Sequence, residues 1–160
     1  DGGQQAGDIA REIATFLEAF PNGVVWGNTQ NGAGYDLVLM GTVDPVKIDV
    51  DQIEQMLKSP EYARVAQSLS EIGMLSAIDL FSTYAGKRPD LEPWMSDAII
   101  NRDRNLRLQY LAGLGLNLYR SDVIYADMLK HATRFPDELF AGSEATLQAL
   151  RMGIARQQGR

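Results

Sequence analysis

The chain has 160 residues, enough to bury a core, and its apolar fraction of 45% and charged fraction of 22% exclude wholesale disorder. Its formal net charge of -6 argues against general binding to nucleic acid or to anionic membranes. Because it contains no cysteine, it can form no disulfide framework, thiol nucleophile or cysteine-ligated metal site. We therefore expect a cytoplasmic protein with no nucleic-acid partner.

The N-terminal part predicts one helix followed by two strands. Apolar residues recur at helical spacing from Ile9 to Phe20, and the Pro-Asn-Gly sequence at 21–23 ends that helix. Residues 24–26 and 35–40 then have the composition of two strands. Two strands are too little sheet to be stable alone, so they either pair with a missing sheet or pack against the helices that follow. Residues 1–7 are interpreted as a linker or cut end of a longer polypeptide.

From Pro45 onward the pattern predicts about six helices. Asp51 is predicted to cap the first, and Ser59-Pro60 to open the second, which Gly73 ends. Further helical patterns cover 76–84, a short segment from 90, 118–131 and 143–155. The predicted fold class is α+β. The predicted division is an αββ unit at 8–43, the end of a methyltransferase-like sheet, and a helical C-terminal extension at 44–160.

One candidate binding site surrounds the connection between the two strands. An aromatic ring and amide side chains there could line a pocket for a small polar or cationic ligand. The alternative is an ordinary strand aromatic beside polar turn residues. The residues are Trp26, Asn28, Gln30 and Tyr35.

A second candidate is a polar cluster that precedes a glycine-spaced apolar segment. As an anion site, its arginines could bind a carboxylate or phosphate bidentately. As a structural element, the arginines would pair with Asp97, Asp103 and neighbouring backbone carbonyls, and would fasten the helices to the αββ unit. The structural interpretation is preferred, because an aspartate lies between two of the arginines. The cluster comprises Asn101, Arg102, Asp103, Arg104, Asn105 and Arg107.

No other pattern predicts a metal, cofactor or membrane site. His131 fits a helix C-terminus, where the dipole favours a cation. The aspartates between 44 and 51 do not have the calcium-loop register, and the glycine pairs at 32–34 and 113–115 lack the third glycine of a dinucleotide fingerprint. No apolar run approaches the roughly 18 residues that cross a bilayer. We expect no catalytic residue, metal or membrane segment in this chain.

Residues 15–26 and 34–41 resemble the end of the catalytic domain in spermidine-synthase-like proteins, the polyamine aminopropyltransferase relatives that are often fused to membrane segments in bacteria. In that family a helix leads into the last two antiparallel strands of a methyltransferase-like sheet. Residues 101–110 resemble the asparagine, aspartate and leucine-x-tyrosine pattern found downstream in the fused members. The resemblance extends over roughly residues 8 to 117.

The resemblance implies an origin for the chain and a chemistry for its parent protein. The family transfers an aminopropyl group from decarboxylated S-adenosylmethionine to a diamine. Its glycine-rich nucleotide motif and catalytic acids lie upstream of the matched part, so this chain alone should not be an enzyme. The implied partner is the upstream part of the same protein, with decarboxylated S-adenosylmethionine as co-substrate only when that part is present. The implied location is the cytoplasmic portion of a membrane-fused protein.

The connection between the strands departs from the family. Residues 28–34 stand where spermidine synthases have a loop of the proline-threonine-tyrosine-proline-serine-glycine type, and they contain neither the tyrosine nor the prolines. The departure puts diamine specificity in doubt. Two other hypotheses stay open: a non-enzymatic helical interaction or dimerisation module that forms a homo-oligomer, and a sensor that binds an anion at the arginine cluster.

Overall fold

The computed structural model of the chain describes residues 2–30, 33–102, 104, 121–132 and 134–159. Its fold is α+β, as the sequence predicts. The helices are α1 (Gly2–Ala19), α2 (Val50–Lys58), α3 (Ala63–Glu71), α4 (Ala77–Phe81), α5 (Arg88–Leu91), α6 (Ser121–Leu129) and α7 (Glu144–Gln157), with a 3-10 turn at Pro60–Tyr62. The strands are β1 (Val24–Gln30), β2 (Ala33–Met40), β3 (Ile48–Asp49), β4 (Tyr84–Lys87) and β5 (Phe140–Ala141).

The chain divides into two compact units, each made of two segments. The first unit comprises residues 1–44 and 85–133, and the second comprises residues 45–84 and 134–160. The predicted αββ segment therefore lies within the first unit. Part of the predicted helical extension also belongs to the first unit, because most of β4 and all of α5 and α6 lie within residues 85–133.

The first unit is built around a three-stranded sheet in the order β2-β1-β4. The first two strands are antiparallel, with Val25 opposite Leu39 and Trp26 opposite Val38. One side of this sheet carries the core of the unit. Its buried members are Ile13, Leu17, Val25, Ala85, Leu91, Tyr125, Met128 and Leu129, with Leu37 and Leu39 packed against them.

The strand β4 corrects the predicted helix at 76–84. The helix α4 is shorter, at Ala77–Phe81, and the chain then becomes extended at Tyr84. Both Tyr84 and Ala85 are buried, and Gly86 has a φ of 142° that a helix cannot contain. Tertiary burial and backbone geometry therefore override the local helical pattern here.

The second unit is mainly helical and centres on Phe140. Its ring lies 5.8 Å from that of Phe81, 6.3 Å from that of Tyr84 and 5.7 Å from that of Phe135. Phe140 belongs to a short parallel pair of strands, in which it lies opposite Ile48. The sequence did not predict this two-residue pairing, since strands so short have no measurable alternation.

Two helix starts differ from the prediction. The N-cap of α2 is Asp49, whose carboxylate accepts a hydrogen bond from the backbone N–H of Gln52. Asp51 lies in the first turn, and it accepts hydrogen bonds from the Ser143 N–H and the Thr146 hydroxyl at the start of α7. The helix α1 begins at Gly2, within the segment interpreted as a linker. The sequence from 4 to 6, Gln-Gln-Ala, contains no helix breaker.

Candidate functional site

The best candidate site is the strand pair of the first unit, because it carries all four residues of the predicted pocket. Trp26 lies opposite Val38, and Asn28 opposite Asp36. The register then shifts between Asn28 and Thr29, so that Tyr35 is an extra residue in β2, as in a β-bulge. The structure thus places Asn28, Gln30 and Tyr35 near the turn end of the hairpin, whereas Trp26 lies farther along β1.

Only Trp26 among these four has a described side chain, and that side chain is half-buried. The side chains of Asn28, Gln30 and Tyr35 lie outside the described residues. Their grouping as a ligand pocket therefore stays a prediction.

The ends of the strand pair far from the bulge are tied together by polar contacts. The Thr42 hydroxyl donates to the carbonyl oxygen of Asn22 at 2.9 Å, and the Asn22 amide donates to the carbonyl oxygen of Val43 at 2.6 Å. These reciprocal bonds join the residues before β1 to those after β2. They hold one end of the hairpin in register, because both chains are fixed across it.

The two faces of the sheet have different surroundings. On the core face, Val25 and Leu39 pack with α1 and α6, and Tyr125 covers the backbone of Gly27. On the other face, Val38 is 54% exposed although it is a branched apolar residue within a strand. Coverage of that face is uneven, because Val24, which lies opposite Met40 on the same face, is buried.

The sheet of the first unit has β2 at one of its edges. β1 is flanked on both sides, whereas β2 is the outermost strand of the described sheet. Across the part of the chain that the structure describes, no further strand pairs with the outer edge of β2. Backbone N–H and C=O groups along such an edge can pair with another strand.

The polar cluster after residue 100 contacts helix α1. The Asn101 N–H donates to the Thr15 hydroxyl oxygen at 2.8 Å, and that hydroxyl donates to the carbonyl oxygen of Arg11 at 2.7 Å. Arg102 forms an ion pair with Glu18, with a separation of 2.5 Å between Nη2 and Oε1. The contact is therefore made with α1 of the αββ segment, and Glu18 of that helix is a partner carboxylate of Arg102.

The rest of that cluster is placed only in part. Arg104 is exposed and lies in a turn. Asp103, Asn105 and Arg107 lie outside the described residues. The structure therefore places Asn101 and Arg102 in contact with α1. An anion site formed by the arginines stays a prediction.

A polar group that was not predicted from the sequence links α6 to the residues after α5. The indole N–H of Trp94 donates to Asp127 at 3.2 Å, and Lys130 forms an ion pair with the same carboxylate at 3.0 Å. The hydrogen bond from Lys130 holds the pKa of Asp127 below its ordinary value, and the bond from Trp94 lowers it further. A carboxylate kept ionised in this way is a poor general acid near neutral pH. The i,i+3 spacing of Asp127 and Lys130 could have indicated their ion pair from the sequence. The hydrogen bond from Trp94 could not have been predicted in this way, because Trp94 is distant in sequence.

The described residues contain no group of three histidine, cysteine, aspartate or glutamate side chains placed to hold a metal ion. Among the described helices, none combines the length and the apolar character that crossing a membrane requires.

Comparison of the chain with protein-family models, with curated proteins and with solved structures gave no match.

Proposed function

We propose that this chain is the C-terminal part of a spermidine-synthase-like protein, and that its β1–β2 pair completes the sheet of an upstream aminopropyltransferase-type domain. In this proposal the chain has no catalytic activity alone. The upstream part supplies the nucleotide loop and the acidic residues, and decarboxylated S-adenosylmethionine is the co-substrate of the joined protein. A cytoplasmic location, as part of a membrane-fused protein, belongs to the same proposal.

The observation that carries the proposal is the position of β2 in the sheet. In the family that the sequence resembles, a helix leads into the last two antiparallel strands of a larger sheet. Here α1 leads into an antiparallel pair, and β4 occupies the outer side of β1. The side of β2 away from β1 is therefore the position at which an upstream strand would be added.

The exposure of Val38 supports the same arrangement. Sheets that continue into an α/β domain are covered by helices on both faces. The α1 and α6 helices cover the face that carries Val25, whereas Val38 on the opposite face is 54% exposed. An upstream domain that added strands beside β2 would also bring helices that cover Val38.

The proposal gives a role to the bulged end of the hairpin. Trp26, Asn28, Gln30 and Tyr35 would lie where the family has its substrate loop. Because this loop differs in sequence from that of spermidine synthases, the proposed acceptor is an amine that need not be a short diamine.

The test is to join the chain to the upstream part of its own gene product. We expect the extended protein, but not the 160-residue chain, to transfer the aminopropyl group from decarboxylated S-adenosylmethionine to an amine acceptor. A gene that encodes no nucleotide-binding region upstream would refute the proposal.

A structural test does not depend on knowing the acceptor. The upstream part is expressed separately and mixed with the chain, and association is measured by calorimetry. Val38→Lys should weaken association at least about tenfold, because it places a charge on the face to be buried. Val123→Lys is the matched control, since Val123 is 63% exposed on α6. Equal binding of the two variants would contradict the proposed interface.

A further inference from the structure

The helix α3 presents apolar side chains that the second unit does not bury. None of the nine residues of α3 is buried. Val65 within the helix and Ile72 at its C-cap are apolar and lie two turns apart. Val65 is 50% exposed, and Ile72, the C-cap residue, is 47% exposed. The helix contacts α2 and the 3-10 turn, and its half-buried residues include Ala66 and Leu69, the second of which borders Val65 and Ile72 at i,i+4 and i,i+3 spacing.

The turn that ends α3 leads to another exposed apolar residue. The N–H of Met74 donates to the carbonyl oxygen of Leu69, and the N–H of Gly73 donates to that of Ser70. This pair of bonds is a Schellman motif, with Gly73 at a φ of 81° in the position that favours glycine. The chain then emerges at Leu75, which is 78% exposed. We call the exposed apolar side chains of Val65, Ile72 and Leu75 the α3 surface.

The charges beside the α3 surface are self-complementary. Arg64 and Glu71 are both exposed, and each immediately precedes one of the apolar residues, Val65 and Ile72. Arg64 and Glu71 are seven positions apart in the sequence, which is about two helical turns, so they lie on the same side of the helix. In an antiparallel pair of α3 helices, Arg64 of each copy would lie opposite Glu71 of the other. Within the described residues Arg64 has no ion-pair partner, and Glu71 accepts only a hydrogen bond from Gln67, at 3.3 Å.

This charge pattern does not fit the other common partners of an exposed apolar helix. A membrane-surface helix carries several lysines or arginines on its polar face, and a nucleic-acid surface is basic as well. The α3 helix contains one arginine and one glutamate, so its formal charges cancel. A second copy of the same helix matches both its apolar stripe and its charges.

We propose that the α3 surface is a homodimer interface, formed by two antiparallel α3 helices around a two-fold axis near Ser68. A two-fold interface joins the same patch on both copies, so every favourable contact occurs twice. The apolar stripe supplies the buried area, and the reciprocal pairs of Arg64 with Glu71 set the antiparallel direction. The interface does not require an upstream domain, so it can be tested on the 160-residue chain.

Cysteine cross-linking tests the position of the axis. The chain contains no cysteine, so a single introduced thiol reports one site. Under mild oxidation, Ser68→Cys should form a disulfide-linked dimer much faster than Gln148→Cys, which places a thiol at an exposed position of α7. Equal rates for the two variants would overturn the proposal.

Charge reversal tests the direction and the partner. Sedimentation over a range of concentrations should show a monomer–dimer equilibrium. Arg64→Glu should raise its dissociation constant about tenfold, because two ion pairs become two like-charge pairs. Adding Glu71→Arg to the same chain should restore the dissociation constant of the parent protein. Both residues are exposed, so circular dichroism should show an unchanged fold in each variant. A protein that stays monomeric at all concentrations, or a double variant that does not recover, would refute a self-complementary interface.

Discussion

The phenol ring of Tyr125 lies directly over the backbone of Gly27. A Cβ atom placed on Gly27 would be 1.9 Å from the hydroxyl oxygen of Tyr125 and 2.5 Å from its Cζ atom. Tyr125 is buried in the core of the first unit, so its ring cannot move aside into solvent. This contact fixes the distance between α6 and the middle strand of the sheet.

The first prediction concerns that contact. Gly27→Ala should lower the free energy of unfolding by about 1–3 kcal/mol, because an added methyl group overpacks the core. Chemical denaturation provides the measurement. Gly7→Ala is the control, since a Cβ at Gly7 meets no atom within 4 Å and alanine favours a helix. Equal effects of the two substitutions would show that the close approach of Tyr125 does not limit residue 27.

The second prediction concerns the attachment of residues 101 and 102 to α1. Thr15→Val should lower stability by about 1–2 kcal/mol, because it removes the acceptor of the partly buried Asn101 N–H. Arg102→Ala should cost less than about 1 kcal/mol, since its pair with Glu18 is solvated. Thermal melting of the two variants measures the difference. A larger loss at Arg102 would mean that the ion pair, not the backbone hydrogen bond, fastens this segment.

The third prediction concerns pH. The hydrogen bond from the Thr146 hydroxyl, followed by that from the Ser143 backbone, lowers the pKa of Asp51 below 3.8. Because the pKa is lowered in the folded state, the stabilisation by Asp51 is fully present above pH 3.8 and is lost as the pH falls through the folded pKa. Asp51→Asn should therefore lower the melting temperature most at neutral pH.

The control for this experiment is Asp44→Asn, which makes the same charge change at an exposed residue. The difference between the parent protein and the Asp51 variant should narrow on acidification. A difference that stays constant from neutral to acidic pH would contradict the role of the ionised carboxylate.

The fourth prediction concerns the approach of α7 to α4 in the second unit. A Cβ at Gly153 would lie 2.1 Å from the hydroxyl oxygen of Ser82, which is buried. Gly153→Ala should therefore destabilise by about 1–3 kcal/mol despite the higher helix propensity of alanine. Combining it with Ser82→Ala should cost less than the sum of the single changes, as a double-mutant cycle would show. Strict additivity would exclude a steric contact between the two positions.

Elements with strong local signals were predicted well from the sequence. The apolar stripe from Ile9 to Leu17 predicted α1, and the strands around Trp26 and Val38 were predicted as a pair. Gly73 was correctly predicted to end a helix, because its positive φ follows from local backbone chemistry. These elements depend mainly on residues that are close together in the chain.

Elements that depend on distant contacts were missed. The strand β4 is short, and Tyr84 is extended because it packs beside Phe140 in the second unit. Asp51 was placed at a cap position, but its hydrogen bonds go to Ser143 and Thr146 more than ninety residues away, at separations of 92 and 95. The candidate site shows the same limit, because the ion pair of Arg102 with Glu18 joins residues 84 positions apart and was not predicted from the sequence.

The position of β1 between β2 and β4 has a consequence during synthesis. β2 follows β1 almost at once, but residues 41 to 83 must be made before β4 can occupy the other side of β1. Until then the β1 edge of the nascent hairpin is open. Pairing between neighbouring nascent chains competes at that stage. Residues 84 to 87 therefore act late, as the segment that closes the β1 edge of this hairpin to such pairing.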